Sequence, residues 1–545
     1  MVRQLSVLLL LILVSACQQS TIDSSGKTVF RYNESAGITS LDPAFANNQA
    51  NIWACNQLYN GLVQLNQKLE PQPCIAKSWE ISPDGTVYLF HLLTNIQFHK
   101  NQLFKGTRYI SAGDFVFSFN RITDDKLASP GSWIFGAVSR DIHQKVNGFL
   151  ALNDSTLQIT LASPFPPFLG LLGSAYGAVV PFEVVNKFGK DFRKNPVGTG
   201  PFKFDRWIER SALILHKNSD YFEKDINGKS LPYLDAVMIS FISDKQSAFL
   251  EFLKGKLDFI SGLDVSYKDD LLTPTGLLRP KYKGKFRMET APYLNTEYLG
   301  MLADSTLPLM KGNPLNNPKI RQAINYGFDR RKMITYLRNN MATPGEAGMV
   351  PVGTPGFELM ADYGYHYDPA KTAQLLSDAG YPNGKGLPTI TLSTTNSYQD
   401  LCEYMQGQLA ESGIKINLEI NQAAQHRQMV ARQQLSFFRG SWIADYADAE
   451  NYLSLFYSKN KAPAGPNYTH FSHKDYDQLY EKAMHLTNDS LRWIVYRQMD
   501  KLVMDQSPVV ILYYDRVLRL TQNNIEGLRI NPLNLLNLKT VRKNY

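Results

Sequence analysis

Several common chemical signatures are missing from this 545-residue sequence. It has no Gly-x-Ser-x-Gly elbow, no His-Glu-x-x-His pair and no Walker loop, so the local marks of a serine hydrolase, a zinc peptidase and a P-loop nucleotidase are all absent. Cysteine is scarce, at four residues, and the spacings of Cys55, Cys74 and Cys402 match no zinc motif. No metal or other cofactor is expected. Net charge is +8 but is not gathered into a basic block, and no RNA-reading motif occurs, so a nucleic-acid partner has no support. Beyond the N-terminal segment no apolar run resembles a membrane span, and no internal repeat is visible.

What is present is the composition of an ordinary globular protein, 44% hydrophobic and 19% charged, too long for a single core and expected to form two or three units. Aromatic residues are plentiful, with 29 Tyr, 29 Phe and six Trp, which suits broad contact surfaces as well as large cores. The N-terminus carries an address. Arg3 supplies a basic start, residues 5–14 are nearly all apolar but too few to cross a bilayer, and Val14-Ser15-Ala16-Cys17 ends the run with small residues and a cysteine. This resembles a bacterial lipoprotein signal (residues 1–16), which implies acylation of Cys17 and a polar tether over 17–26. In an oxidising envelope Cys55 and Cys74 are the local option for a disulfide, which the sequence leaves open.

Along the chain, residues 79–90 read as strand, Pro83-Asp84-Gly85 turn and strand. Ser111 and Asp114 form the capping box of a helix. Residues 157–161 alternate as a strand before Pro164, Pro166 and Pro167 break the pattern. A helix at 244–254 with a strand at 257–260, then a Pro318 helix, helices at 368–379 and 399–411 and strands at 389–394 and 414–420, make an α/β layer with a mixed sheet. Helices follow at 474–486 and 490–505, and 509–514 is a very apolar strand.

The stretch Arg439-Gly440-Ser441-Trp442-Ile443-Ala444-Asp445-Tyr446 holds most of the candidate chemistry. In an extended chain Arg439, Ser441, Ile443 and Asp445 share a face, with the two charges about 20 Å apart at about 3.3 Å per residue. That spacing brackets a zwitterion; the bland reading is a solvated strand end. His426, His470 and His473 are a thin metal-site candidate, more in keeping with surface histidines. Trp53, Trp79 and Trp207 read as core residues, and Tyr513 and Tyr514 are equally compatible with core and cleft.

Ser40-Leu41-Asp42-Pro43, Ala76-Lys77-Ser78-Trp79-Glu80, Phe90-His91-Leu92, Gly198-Thr199-Gly200-Pro201-Phe202 and Ile320-Arg321-Gln322-Ala323-Ile324 occur in the order of family signatures. On these, from residue 27 to the C-terminus, the chain resembles the family 5 solute-binding proteins, the dipeptide and oligopeptide receptors of ABC importers. The resemblance implies an α/β, two-lobed periplasmic-binding-protein-like fold with hinge strands. Lobe I would take 27–66, 190–296 and 510–545, an inserted subdomain 67–189, and lobe II 297–509. It also implies that Asp445 binds a peptide ammonium beside Trp442 and Tyr446, and that Arg439 meets the carboxylate of short peptides. Ser441 and Ile443 would offer backbone to the ligand as an added strand, facing Glu34 to Gly37 of lobe I. Ala449 replaces the family's proline after the Asp-Tyr-x-Asp run. The expected protein is a monomeric, non-enzymatic receptor, lipid-anchored in the cell envelope, that passes short peptides to an ABC permease. Nickel chelates, haem or oligosaccharides on the same fold, or an envelope hydrolase using a pair such as Asp445 and Asp448, are the alternatives.

Overall fold

The computed structural model describes residues 27–141, 146–264, 266–357 and 361–544. The signal segment and Cys17 lie outside the described residues. Among the described residues no helix is long and apolar enough to cross a membrane.

Two long antiparallel strands, Phe286–Met301 and Val509–Gln522, pair along nearly their whole length and organise everything else. They lie at the centre of one large mixed sheet. On one side follow Phe259–Ser261, Val29–Asn33, Ala236–Ser240, Ala212–Lys217 and Phe202–Ile208; on the other Phe437–Ile443, Ile390–Thr395 and Ile416–Asn421. The pairing is not uniform. Residues 286–292 match 516–522, residues 296 and 297 match 514 and 513, residues 298–300 match 509–511, and the register shifts between 292 and 296, with a further irregularity at 297–298. Pro292, which has no N–H to donate, closes the first segment. The shift falls where the strands pass from one set of neighbours to the other, so the two halves of the sheet are joined by a locally irregular ladder.

The apolar run at 509–514 is buried on both faces because it feeds two cores. Val510 and Leu512 pack with the helices Pro318–Tyr326 and Gln399–Glu411, while Val509, Ile511 and Tyr514 pack with Asp489–Gln506. The strand then continues eight residues beyond the sequence expectation, to Gln522. Its buried Arg519 is tolerated because its guanidinium donates to Asn534 Oδ1, Arg529 O and Leu535 O. Tyr513 and Tyr514 are core residues, the latter donating to Gly348 O at 2.6 Å.

A separate four-stranded antiparallel sheet, in the order Ala76–Ile81, Val87–Leu92, Thr156–Thr160, Phe149–Asn153, carries the helix Ala112–Ile122. Ser111 and Asp114 close its capping box. Phe90, Phe115, Phe119 and Phe149 join Phe30, Tyr32 and Trp53 in one continuous core, so this layer is fused to the 29–33 side of the large sheet. Cys55, Cys74 and Cys402 are all buried free thiols, which removes the Cys55–Cys74 disulfide option. Burial pushes the Cys74 thiol up to about 12.

Candidate functional site

The strand Phe437–Ile443 runs antiparallel to residues 295–301, with Ile443 opposite Asn295 and Arg439 opposite Leu299. One further ladder-like bond, Ala444 N–H to Leu294 O at 2.8 Å, carries the chain past the strand end. There it turns sharply. Asn451 Oδ1 accepts from Trp442 Nε1 at 2.8 Å and from the Asp445 N–H at 3.2 Å. Asp448 N–H donates to Tyr446 O, and the Asp448 carboxylate caps the Glu450 N–H at 2.9 Å. Trp442 is therefore half-buried in the packing behind this turn, fixing the turn through Asn451.

Asp445 projects from the turn into a cavity of about 800 Å³. Three parts of the fold enclose it. One face of the helix Gln49–Leu58 contributes Ile52, Trp53 and Asn56; the four-stranded layer and its loops contribute Tyr88, Trp133, Phe165 and Tyr176; the third wall is Ile443 to Asp448 with Arg492 and Trp493. Tyr446 bridges two walls: its ring lies 6.0 Å from Trp133 and 6.4 Å from Phe165, and its hydroxyl donates to Glu450. Pro164, Pro166 and Pro167, which end a strand in the sequence, form a fixed lip of the cavity.

The Asp445 side chain is open to the cavity, yet enough protein surrounds it that desolvation raises its carboxyl above the usual range, with Asn451 opposing. Among the described residues no cation pairs with it. Its neighbour Glu450 is wholly buried, and loss of solvation pushes it up to about 7 although two tyrosine hydroxyls donate to it. Asp448 instead faces Arg492, with Nη2 3.4 Å away, and the same guanidinium reaches Asp489 at 2.8 Å.

Arg439 is not where the extended-face reading put it. The strand stops at Ile443, two residues before Asp445, and Arg439 does not line the cavity. Its guanidinium is ion-paired with Glu297, which is buried in the adjacent strand, and sits over the Tyr398 ring with 3.3 Å from Cζ to the ring centroid. The pairing of Phe437–Ile443 with 295–301 brings these charges together, a long-range consequence invisible in local spacing. Ser441 is also outside the cavity lining, whereas Ile443, Asp445 and Tyr446 belong to it. Glu34 follows the strand Val29–Asn33, its N–H bonded to Ser240 O at 2.9 Å. Its half-buried carboxyl is pushed up to about 7 by burial, and it too stands apart from the cavity lining. His426 and His470 each bond a backbone carbonyl, Arg439 O and Ala462 O, as structural histidines do.

Sequence reasoning missed Trp133, Tyr176, Tyr293, Arg492 and Trp493, and favoured core over ligand contact for Trp53. Trp53 does both: it is buried, donates Nε1 to Asn534 O, and lines the cavity. Trp133 and Tyr176 sit in short 3₁₀ turns with no periodicity to flag them. The surplus of aromatic residues is the only signal that pointed their way.

The family model for bacterial extracellular solute-binding proteins, family 5 (middle region), matches residues 70–464. The chain is similar to heme-binding protein A of Haemophilus influenzae, 27% identical over 91% of each chain. It is also similar to the glutathione-binding protein GsiB of Escherichia coli K12, 25% identical over 91% of each. Among solved structures, the periplasmic binding protein DppA of Helicobacter pylori in complex with the peptide STSA matches with a TM-score of 0.71 and 25% identity, over 94% of this chain and 98% of that one. The family match, the sheet joined through two crossing strands and the added antiparallel layer agree, and the chain belongs to the family 5 bacterial extracellular solute-binding proteins, with their two-lobed α/β fold.

Proposed function

We propose that this protein is the peptide receptor of an ABC importer, holding the α-ammonium group of a short peptide on Asp445. The observation that carries this is a desolvated carboxylate with no cationic partner among the described residues, projecting into an aromatic-walled cavity. A receptor for many sequences must draw affinity from the constant parts of its ligands, and a charged terminus entering a dry, preorganised site is the strongest of these. Tyr446 and the exposed Ile443 line the cavity beside that terminus, while Trp442, which the resemblance made its wall, stands outside the lining and braces the turn through Asn451. The DppA relative, in complex with a peptide, supports this reading.

Capture couples to transport through the irregular ladder between 292 and 296. With residues 27–66, 190–296 and 510–545 as lobe I and 297–509 as lobe II, it is the place where the lobes hinge. The closed, loaded form is then what a permease recognises, and a lipid on Cys17 keeps the receptor at the membrane surface. No catalytic step is assigned to it. Native mass spectrometry of the protein purified from its own envelope tests the assignment. A co-purifying peptide of a few residues is expected. Haem, a sugar or a metal chelate in its place would assign the cavity to another ligand class.

A further inference from the structure

The charges around the cavity are lopsided. Glu70, Asp445, Asp448 and Asp489 line it, and among the described residues Arg492 is the one cationic side chain that does. Arg492 is already offset, because its two terminal nitrogens reach Asp448 and Asp489. The start of the helix Gln49–Leu58, the other feature that would attract an anion, is closed by Asn48, whose side chain accepts the Asn51 N–H at 3.0 Å. Arg439, the group suited to a ligand carboxylate, lies off the cavity and is held by Glu297, with Asn295 linking Glu297 to Asp515. A carboxylate arriving at Arg439 must displace an internal one that is already desolvated. The walls, by contrast, suit cations: Trp53, Tyr88, Trp133, Tyr176 and Trp493 present ring faces or edges around the same space.

We infer that this site selects ligands of net positive charge and leaves the ligand's own carboxylate unread, since Arg439, the group suited to it, stands off the cavity and is paired with Glu297. The substrate class is peptides carrying Lys or Arg near the N-terminus, and peptide amides as readily as peptide acids. This rests on the peptide reading above.

Calorimetry with five probes separates the two. They are trialanine, its C-terminal amide, N-acetyl-trialanine, Ala-Lys-Ala amide and Ala-Glu-Ala. In the wild-type protein the amide binds at least as tightly as the acid, the Lys probe at least tenfold tighter than trialanine, and the Glu probe at least tenfold weaker. A wild-type preference for the free acid of tenfold or more, or equal binding of the Lys and Glu probes, overturns the charge assignment. N-acetylation reports on the ammonium site by itself: if it costs nothing, or if no probe binds, the peptide reading fails and this inference with it.

Discussion

Replacing Asp445 with asparagine isolates the central claim, since the side chains match in size and differ in charge. At about 3 Å and an effective dielectric of about 20, a carboxylate and an ammonium attract by about 5 kcal/mol. Stripping water from the incoming ammonium returns part of this, leaving about 3 kcal/mol, or about 10²-fold in affinity. The free protein should not suffer. In the unliganded structure the Asp445 charge is desolvated without a partner cation among the described residues, so neutralising it leaves the melting temperature equal or slightly higher. Calorimetry with one peptide and its N-acetyl form, on wild type and Asp445→Asn, closes a double-mutant cycle. Acetylation costs the wild type about 10²-fold and the variant almost nothing. Unchanged affinity in the variant, or an equal penalty for acetylation in both proteins, would refute the ammonium assignment.

Three further outcomes follow from neighbouring geometry. Arg439→Met strands the buried Glu297 carboxylate and should cost about 3 kcal/mol in urea unfolding, most of it recovered in the double variant with Glu297→Gln; no recovery would show that the pair is not coupled. Trp442→Phe removes the bond to Asn451 that also positions the Asp445 N–H, so peptide affinity should fall several-fold while stability drops by only about 1 kcal/mol; a purely structural effect would leave affinity intact. Glu450 has its folded-state value raised to about 7, so the folded protein binds the extra proton. Its contribution is most favourable below the unfolded value near 4.5 and is lost as pH rises through 7, by about 3 kcal/mol in all. Glu450→Gln should therefore flatten the fall in melting temperature between pH 5 and 8.

The sequence by itself determined the local elements and singled out Asp445 as a candidate. The capping box at Ser111 and Asp114, the turn at Pro83-Asp84-Gly85 and the helices begun by Pro318 and Pro369 depend on backbone conformations set within a few residues, and all occur. Asp445 was legible as a candidate because a carboxylate next to Trp442 and Tyr446 is a local pattern. The continuation of the strand Val509–Gln522 was not legible, because Arg519 reads as exposed until Asn534 and the carbonyls of Arg529 and Leu535, in the segment that follows the strand, satisfy it. The tertiary structure alone decided which charges are free. It placed Glu297 against Arg439 through strand pairing across about 140 residues and left Asp445 without such a partner among the described residues. Local spacing made the two groups look like a matched pair; in the fold one charge is already neutralised and the other faces the cavity unpaired among the described residues, because ion pairing depends on which strands lie side by side.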